Sequence, residues 1–450
     1  MPVRILRGDC REVLRTLPDA SVHCVVTSPP YYGLREYGTA TWEGGDPACD
    51  HRSVMKFRKF TNGQGEGVDG DGYAGSNLTS WTTRDATPKA RCPRCGATRI
   101  DKQIGLEASP DAYVAEMVAV FREVRRVLRD DGTLWLNIGD SYTSGGRATF
   151  GTFSPDSKQA THTAIKSATG APQPEGLKPK DLMMMPARVA LALRADGWWL
   201  RSDIIWNKPN PMPESVTDRP TSAHEHVFVL TKSARYFYDA DAVREGRQGD
   251  THSRGTKRNP PIEAAGIGHK NLCGYMTRDD DLTSRNLRNV WTIATAPFGE
   301  AHFATFPPEL AERCIKAGTS KRGCCPACGS PWTRVVEKSR TFESGSGRAG
   351  NLPEGKHGGK LQGGGETLDV RRGPVVSTAT TVWLPSCLCP PADPVPCVVL
   401  DPFGGAGTVG LVADRIGRDA VLIELNDSYC EMARRRLERD AGLFADVAVN

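Results

Sequence analysis

Cys397-Val398-Val399-Leu400-Asp401-Pro402-Phe403-Gly404-Gly405-Ala406-Gly407-Thr408-Val409-Gly410 reads as a buried strand, a glycine turn and the start of a helix. Glycines let the backbone come close to a ligand, and a helix N-terminus is electropositive. The next apolar run, Ala420-Val421-Leu422-Ile423, ends in Glu424. In doubly wound folds an acid at that strand tip holds the ribose hydroxyls of a nucleotide cofactor. A glycine turn alone is common. Asp401-Pro402-Phe403 before it and Glu424 after it make this one specific.

A second signal lies near the other end of the chain. The apolar run Val22-His23-Cys24-Val25-Val26 closes on Thr27-Ser28-Pro29-Pro30-Tyr31-Tyr32. Each proline fixes its own φ, lacks an N–H and pushes the preceding residue to extended geometry. The Ser28 and Pro29 carbonyls are thereby kept out of any helix, beside the Ser28 hydroxyl and the flat ring of Tyr31. Such an acceptor cluster under a stacking platform suits the exocyclic amine of a planar base. The plain alternative is a strand-to-loop stop with two turn prolines.

Together these motifs resemble the DNA amino-methyltransferases, which methylate N4 of cytosine or N6 of adenine with S-adenosylmethionine. Asp401 to Thr408 matches that family's Asp-Pro-Phe-x-Gly-x-Gly-Thr cofactor loop, and Ser28 to Tyr31 matches its Ser/Asp/Asn-Pro-Pro-Tyr motif. His302-Phe303-Ala304-Thr305-Phe306-Pro307-Pro308-Glu309-Leu310 matches its Phe-Pro and following helix, at the methionine end of the cofactor. Gly8-Asp9, after Val3-Arg4-Ile5-Leu6, resembles the position that reaches the cofactor's adenine. The resemblance implies cofactor contacts at Asp9, Thr27, Phe306, Pro307, Asp401, Pro402, Phe403, Gly405, Gly407, Thr408 and Glu424. It implies a catalytic motif of Ser28, Pro29, Pro30 and Tyr31. It covers most of the chain apart from the cysteine-bearing and glycine-rich insertions.

The element order refines this reading. Tyr113 to Leu128 has helical periodicity, and Asp131-Gly132 separates it from a strand at Thr133 to Ile138. A second amphipathic helix spans Asp181 to Leu193, and strands follow at Trp198 to Trp206 and His224 to Leu230. The glycine-turn strand and the Glu424 strand come last, whereas a doubly wound cofactor fold normally begins with them. The expected class is α/β: a doubly wound, Rossmann-like S-adenosylmethionine-dependent methyltransferase fold, circularly permuted, with zinc-ribbon-like insertions and a small DNA-recognition region. The catalytic half is placed at 1–239, with an insertion at 40–105 and a mobile loop at 143–180. A target-recognition region is placed at 240–296. The cofactor half is placed at 297–450, with an insertion at 321–392.

A chain of 450 residues is ample for one such domain with insertions. Its formal charge of +5 permits nucleic-acid binding without requiring it. No early segment resembles a signal peptide and no apolar run is long enough to span a bilayer, so a soluble cytoplasmic protein is expected. Fourteen cysteines in such a chain suggest thiols or metal, not a disulfide scaffold. Cys49-x-His51 with Cys92-x-x-Cys95, and Cys325-x-x-Cys328 with Cys387-x-Cys389, each offer four ligands to a tetrahedral zinc. Both Cys-x-x-Cys pairs lie in a Cys-Pro-x-Cys-Gly knuckle. Cys324 is an alternative to Cys325, and free structural thiols or a redox pair are the competing readings.

Arginines and lysines recur between Ala240 and Val290, among them Arg254, Lys257, Arg258, Arg285 and Arg288. Guanidinium forks suit phosphates and guanine edges, and the family places target recognition here. A solvated loop diluted by Asp279-Asp280-Asp281 is the bland alternative. The partners implied are double-stranded DNA with an extruded target base and, in a restriction–modification pair, a separate cognate restriction endonuclease. No membrane partner is implied, and the oligomeric state stays open.

Ser28 favours N4 of cytosine, because the family's cytosine members mostly carry Ser there and its adenine members Asp or Asn. Adenine-N6 methylation is the alternative. Other classes fit less well. A dehydrogenase leaves Ser28 to Tyr31 idle, and RNA or protein methyltransferases more usually carry Asn at that position. A zinc-bearing DNA-binding protein without catalysis leaves both motifs unexplained.

Overall fold

Val22 to Thr27 are all buried, as expected of a strand covered on both faces. They sit near the centre of the principal sheet. The computed structural model describes residues 3–33, 37–51, 53–60, 78–86, 91–143, 176–246, 284–296, 298–299, 307–341, 375–442 and 446–450. Its strands begin with β1 (Val3–Arg7), β2 (Val22–Thr27), β3 (Thr41–Glu43), β4 (Ser53–Phe60), β5 (Leu78–Ala86) and β6 (Thr98–Ile100). They continue with β7 (Leu128–Ile138), β8 (Trp199–Asn207), β9 (His224–Thr231), β10 (Glu245–Gly246), β11 (Ser284–Arg285) and β12 (Val290–Thr292). The last are β13 (Trp332–Thr341), β14 (Val375–Pro385), β15 (Val398–Asp401), β16 (Asp419–Glu424) and β17 (Val447–Val449).

The chain packs as two units. The sheet unit comprises Met1–Pro29, Val114–Asp140 and Met184–Asn450, and the platform unit comprises Pro30–Tyr113 and Ser141–Met183.

In the sheet unit nine strands run in the order β12-β8-β9-β7-β2-β15-β16-β1-β17. Only β9 is antiparallel to its neighbours. The core on one face joins Cys24 and Val26 to Trp135, Trp291, Leu310, Ala311 and Ile315. The Pro308–Gly318 helix comes so close that a Cβ on Gly318 would sit 2.6 Å from Cys24 Sγ. From β15 the chain crosses through the Thr408–Arg415 helix to β16. From β2 it crosses through the Pro110–Val127 helix to β7, in the opposite direction. The switch point of this α/β sheet therefore lies between β15 and β2, where such folds bind ligands. The permuted order is direct: β2 precedes β15 by hundreds of residues yet pairs with it, Val399 opposite Cys24 and Leu400 opposite Val25.

Three elements start three or more residues away from expectation. The helix begins at Pro110, three residues early, and its buried stripe is Met117, Val120, Phe121, Val124 and Val127. β7 begins at Leu128 instead of Thr133. Val22 pairs with Leu128 and Cys24 with Thr133, so Arg129 to Gly132 bulge out of the ladder. Gly132 suits that bulge, since a Cβ there would meet Leu128 Cδ1 at 2.6 Å and the His23 carbonyl at 2.9 Å. The next helix spans Met185–Ala195, starting later than Asp181. Pro186 occupies its first turn, where its missing N–H costs nothing. The Asp181 carboxylate instead accepts the Lys178 N–H at 2.8 Å.

In the platform unit β3 pairs antiparallel with β6, and β4 with β5. The expected loop at 143–180 lies outside the described residues from 144 to 175, as does the recognition region from 247 to 283. Among the described residues no helix is long and apolar enough to cross a membrane.

Candidate active site at the carboxyl edge of the sheet

Asp401 ends β15, Thr27 ends β2, and a hydrogen bond joins the two tips across the switch point. Thr27 Oγ1 donates to Asp401 Oδ1 at 2.6 Å, with both residues buried. The same oxygen accepts the Phe403 N–H at 3.0 Å, which turns the chain out of the strand. Burial pushes the Asp401 carboxyl up to about 7, although both donors favour its charge; Glu424 nearby adds to the rise.

The glycine turn is wired to the tip of β16. Gly404 N–H donates to the Ile423 carbonyl at 2.8 Å and Gly405 N–H to Glu424 Oε2 at 2.8 Å. Asn426 N–H takes the other Glu424 oxygen, Oε1, at 2.8 Å. Burial raises the Glu424 carboxyl, while the backbone donors of Asn426, Gly405 and Leu425 oppose the rise. Gly405 and Gly407 have φ of +49° and +73°, where other residues are strained. At Gly407 a Cβ would also stand 3.0 Å from that of Ala433. The turn delivers Thr408 to the first position of its helix.

β1 completes this edge. Gly8 N–H donates to the Glu424 carbonyl at 2.9 Å, and Asp9 caps the short Cys10–Val13 helix. Arg11 holds the buried Asp9 carboxylate at 2.5 Å and also binds Glu116 Oε2 at 2.9 Å.

At the end of β2, Ser28 is half-buried and Pro29 buried, and the chain enters the platform unit at Pro30. Within that unit Tyr113 Oη donates to the Pro30 carbonyl at 2.9 Å. Gly33 N–H donates to the Gly105 carbonyl at 2.8 Å, and Ser141 Oγ to the Tyr32 carbonyl at 3.3 Å. Tyr32 is buried against Tyr113, with ring centroids 5.7 Å apart, and so is a supporting ring; Tyr31 stays half-exposed. Burial raises both the Tyr32 and Tyr113 hydroxyls, and the Glu107 charge adds to it.

The chain matches the DNA methylase family, of N6 and N4 type, over residues 22–338 and 396–435, which include the ends of both β2 and β15. The chain belongs to that family. This methylase is 35% identical to the Type II methyltransferase M.Cfr9I of Citrobacter freundii over 435 residues, 96% of this chain and 87% of the relative. It is 31% identical to M.SmaI of Serratia marcescens over 436 residues, 97% of this chain and 91% of the relative. Among solved structures, PvuII DNA methyltransferase (cytosine-N4-specific) aligns with 100% of this chain and 96% of its own at 14% identity. Its TM-score of 0.45 is too low to bear on function.

The methylase's remaining expected residues divide sharply. Pro307 is buried and caps the Pro308–Gly318 helix, whereas Phe306 lies outside the described residues, as do Arg254, Lys257 and Arg258. Arg285 and Arg288 both pair with Glu245 Oε2, at 3.0 and 2.9 Å, and hold that carboxyl below its usual range against the effect of burial. All eight expected metal ligands come together as two groups: Cys49, His51, Cys92 and Cys95, and Cys325, Cys328, Cys387 and Cys389. Cys325 is the group member, not Cys324, which lies with His23 and Cys397 in a separate buried cluster.

Sequence reading missed Arg436. Its Nη1 donates to the Ala406 carbonyl at 2.9 Å and to Thr408 Oγ1 at 3.0 Å, while its guanidinium lies 4.4 Å from the Phe298 ring centroid. The signal was its place on the helix, three residues beyond buried Ala433 and next to buried Leu437. A cation on such a face needs partners.

Proposed function

We propose that this methylase transfers a methyl group to the N4 amine of cytosine in duplex DNA, with S-adenosylmethionine as donor. The observation that carries the reading is Ser28-Pro29 at the tip of β2, beside a strand whose own tip, Asp401, opens the glycine turn. The donor set fits a nucleoside-bearing cofactor. Glu424 uses its oxygens on backbone N–H groups, and a carboxylate with about four acceptor sites keeps capacity for a diol. Asp9, Thr27, Phe306, Pro307, Asp401, Pro402, Phe403, Gly405, Gly407, Thr408 and Glu424 would hold the cofactor. When bound, it supplies an activated methyl on a sulfonium.

The chain's own residues then orient the acceptor. The target base is extruded, because its amine is otherwise paired within the duplex. Tyr31 stacks on it, and the amine donates to Ser28 Oγ and the Pro29 carbonyl. These acceptors draw the nitrogen toward pyramidal geometry and aim its lone pair, so orientation and placed dipoles supply most of the acceleration. No covalent enzyme intermediate is needed, and the amine's proton leaves late, to water or a nearby acceptor. Tyr113 fixes the Pro30 carbonyl and with it the start of the platform segment.

Ser28 is what favours cytosine, following the family's usage at that position. A smaller pyrimidine also leaves room for a hydroxyl in place of a longer carboxamide. Kinship with Type II enzymes supports a modification role beside a separate restriction endonuclease. DNA treated with the enzyme and the donor, then digested to nucleosides for mass spectrometry, should contain N4-methylcytosine. N6-methyladenine instead would replace this reading with the adenine alternative, and no methylated base would sink both.

A further inference from the structure

The first cysteine group meets a strict geometric test, and the second meets a looser one. Tetrahedral zinc bound at about 2.3 Å to sulfur and about 2.0 Å to nitrogen separates two sulfurs by about 3.8 Å, and a sulfur from a nitrogen by about 3.5 Å. In the platform unit Cys49 Sγ and Cys92 Sγ lie 3.8 Å apart, and Cys95 Sγ lies 3.4 Å from His51 Nδ1. All four ligand atoms lie within 4.8 Å of one another. The same limit holds for Cys325, Cys328, Cys387 and Cys389 in the sheet unit, and every one of these seven cysteines is free of disulfides. Each knuckle is closed by a backbone hydrogen bond, Gly96 N–H to the Cys92 carbonyl at 2.9 Å and Gly329 N–H to the Cys325 carbonyl at 2.8 Å.

The third cluster, His23, Cys324 and Cys397, meets the same limit but has its lone pairs engaged elsewhere. His23 Nδ1 accepts the Val398 N–H at 3.0 Å, and its Nε2 lies 2.9 Å from the Gly329 carbonyl. With Nδ1 accepting, Nε2 carries the proton, so neither nitrogen offers a lone pair to a metal. Its neighbours Cys324 and Cys397 instead face the carbonyls of Val395, Pro396 and Ser320.

We propose that the chain holds two structural zinc ions and that the one in the platform unit fixes the segment carrying Tyr31. Four protein ligands leave no open position at either site, which makes a structural role the fit, and thiolate-rich tetrahedra select zinc. The two ions support different things. In the sheet unit, the carbonyls of Cys328 and Gly329 receive Arg129 Nη1 at 2.7 Å and His23 Nε2 at 2.9 Å. The Cys325 knuckle is therefore a brace on β2 and on the β7 bulge. In the platform unit the ligands flank the β3–β6 pair, and Trp42 stacks on His51 at 4.5 Å. Residues leaving β6 then bind the segment after Tyr31: Asp101 Oδ1 accepts from Thr39 Oγ1 at 3.0 Å and Gln103 Oε1 from Tyr37 N–H at 2.7 Å. The Gly105 carbonyl accepts from Gly33 N–H at 2.8 Å.

Elemental analysis of the full chain, purified without chelator, should find two zinc ions per chain, and one in each of Cys95→Ser and Cys328→Ser. No metal, iron in place of zinc, or an unchanged count in both variants overturns the assignment. Three ions overturn the exclusion of His23. Should the variants fail to fold, thiol labelling of the native wild-type chain decides: a strong chelator should speed modification at least tenfold, and an unchanged rate refutes the sites. Hydrogen exchange tests the platform role. The Gly33 and Tyr37 amides should exchange at least tenfold faster in Cys95→Ser and at the wild-type rate in Cys328→Ser; equal rates in the two variants refute it. None of these readouts involves methyl transfer, so they stand or fall apart from the base assignment.

Discussion

The tips of β15 and β2 lie side by side, yet they are built on opposite principles. The β15 tip is locked from within: Asp401, the glycine turn and Glu424 are joined by backbone N–H bonds to carboxylates, and Arg436 ties the turn to the final long helix. Asp401 is buried and Glu424 half-buried, and burial raises both carboxyls. The β2 tip relies on covalent stiffness instead. Two prolines fix the backbone, Ser28 stays half-buried, and the next residues belong to another unit with its own supports. Under the proposed function, a tip wired from within suits the cofactor, and a rigid, half-buried edge suits an extruded acceptor base.

The strongest way to break this contrast is Ser28→Ala. It should lower kcat by about 100-fold or more, the scale of a lost transition-state hydrogen-bond partner. Cofactor affinity by calorimetry should stay within about twofold, because Ser28 is not among the residues assigned to the cofactor. Near-full turnover would remove Ser28 from the chemistry. Asp401→Ala should do the reverse. Removing the acceptor of the buried Thr27 hydroxyl and the partly buried Phe403 N–H, at about 1–3 kcal/mol each, loosens the turn, so cofactor affinity should fall by about tenfold or more. An unchanged affinity would detach the β15 tip from the cofactor.

The smallest effect concerns pH. Asp401 titrates near 7 in the fold and near 3.8 when unfolded, so between those values the native state binds the extra proton. Its contribution is most favourable below about pH 4 and is lost as pH rises to about 7. Asp401→Asn should flatten that part of the thermal-stability profile. An identical slope in the variant would place the titration elsewhere.

Much of this was legible because the decisive residues are local. A strand, a glycine turn and an acid at the next strand tip occupy one short stretch, and Ser28 to Tyr31 lie in one hexapeptide. The clustering of the proposed metal ligands was legible for the same reason, each pair fitting within a single knuckle or turn. What escaped depends on contacts distant in sequence. Arg436 acts on a turn about thirty residues before it; its helical position beside buried residues marks an inward face but not the partner there. The β7 bulge follows from how Val22 and Cys24 pair across the sheet. Cys324 and Cys325 are neighbours whose opposite orientation sends one to the knuckle and the other toward His23.

The permuted order also bears on how the molecule is made. β1 leaves the ribosome early, but its sheet partners, β16 and β17, come from Asp419 onward. β2 likewise waits for β15 at Val398 to fill one of its sides. Through most of synthesis the nascent chain therefore carries two strands with open edges, β1 on both sides and β2 on one, and such edges invite pairing with other chains. The β15-β16-β1-β17 side of the sheet is the last part to close, which makes the final fifty or so residues a folding latch as well as half of the proposed cofactor site.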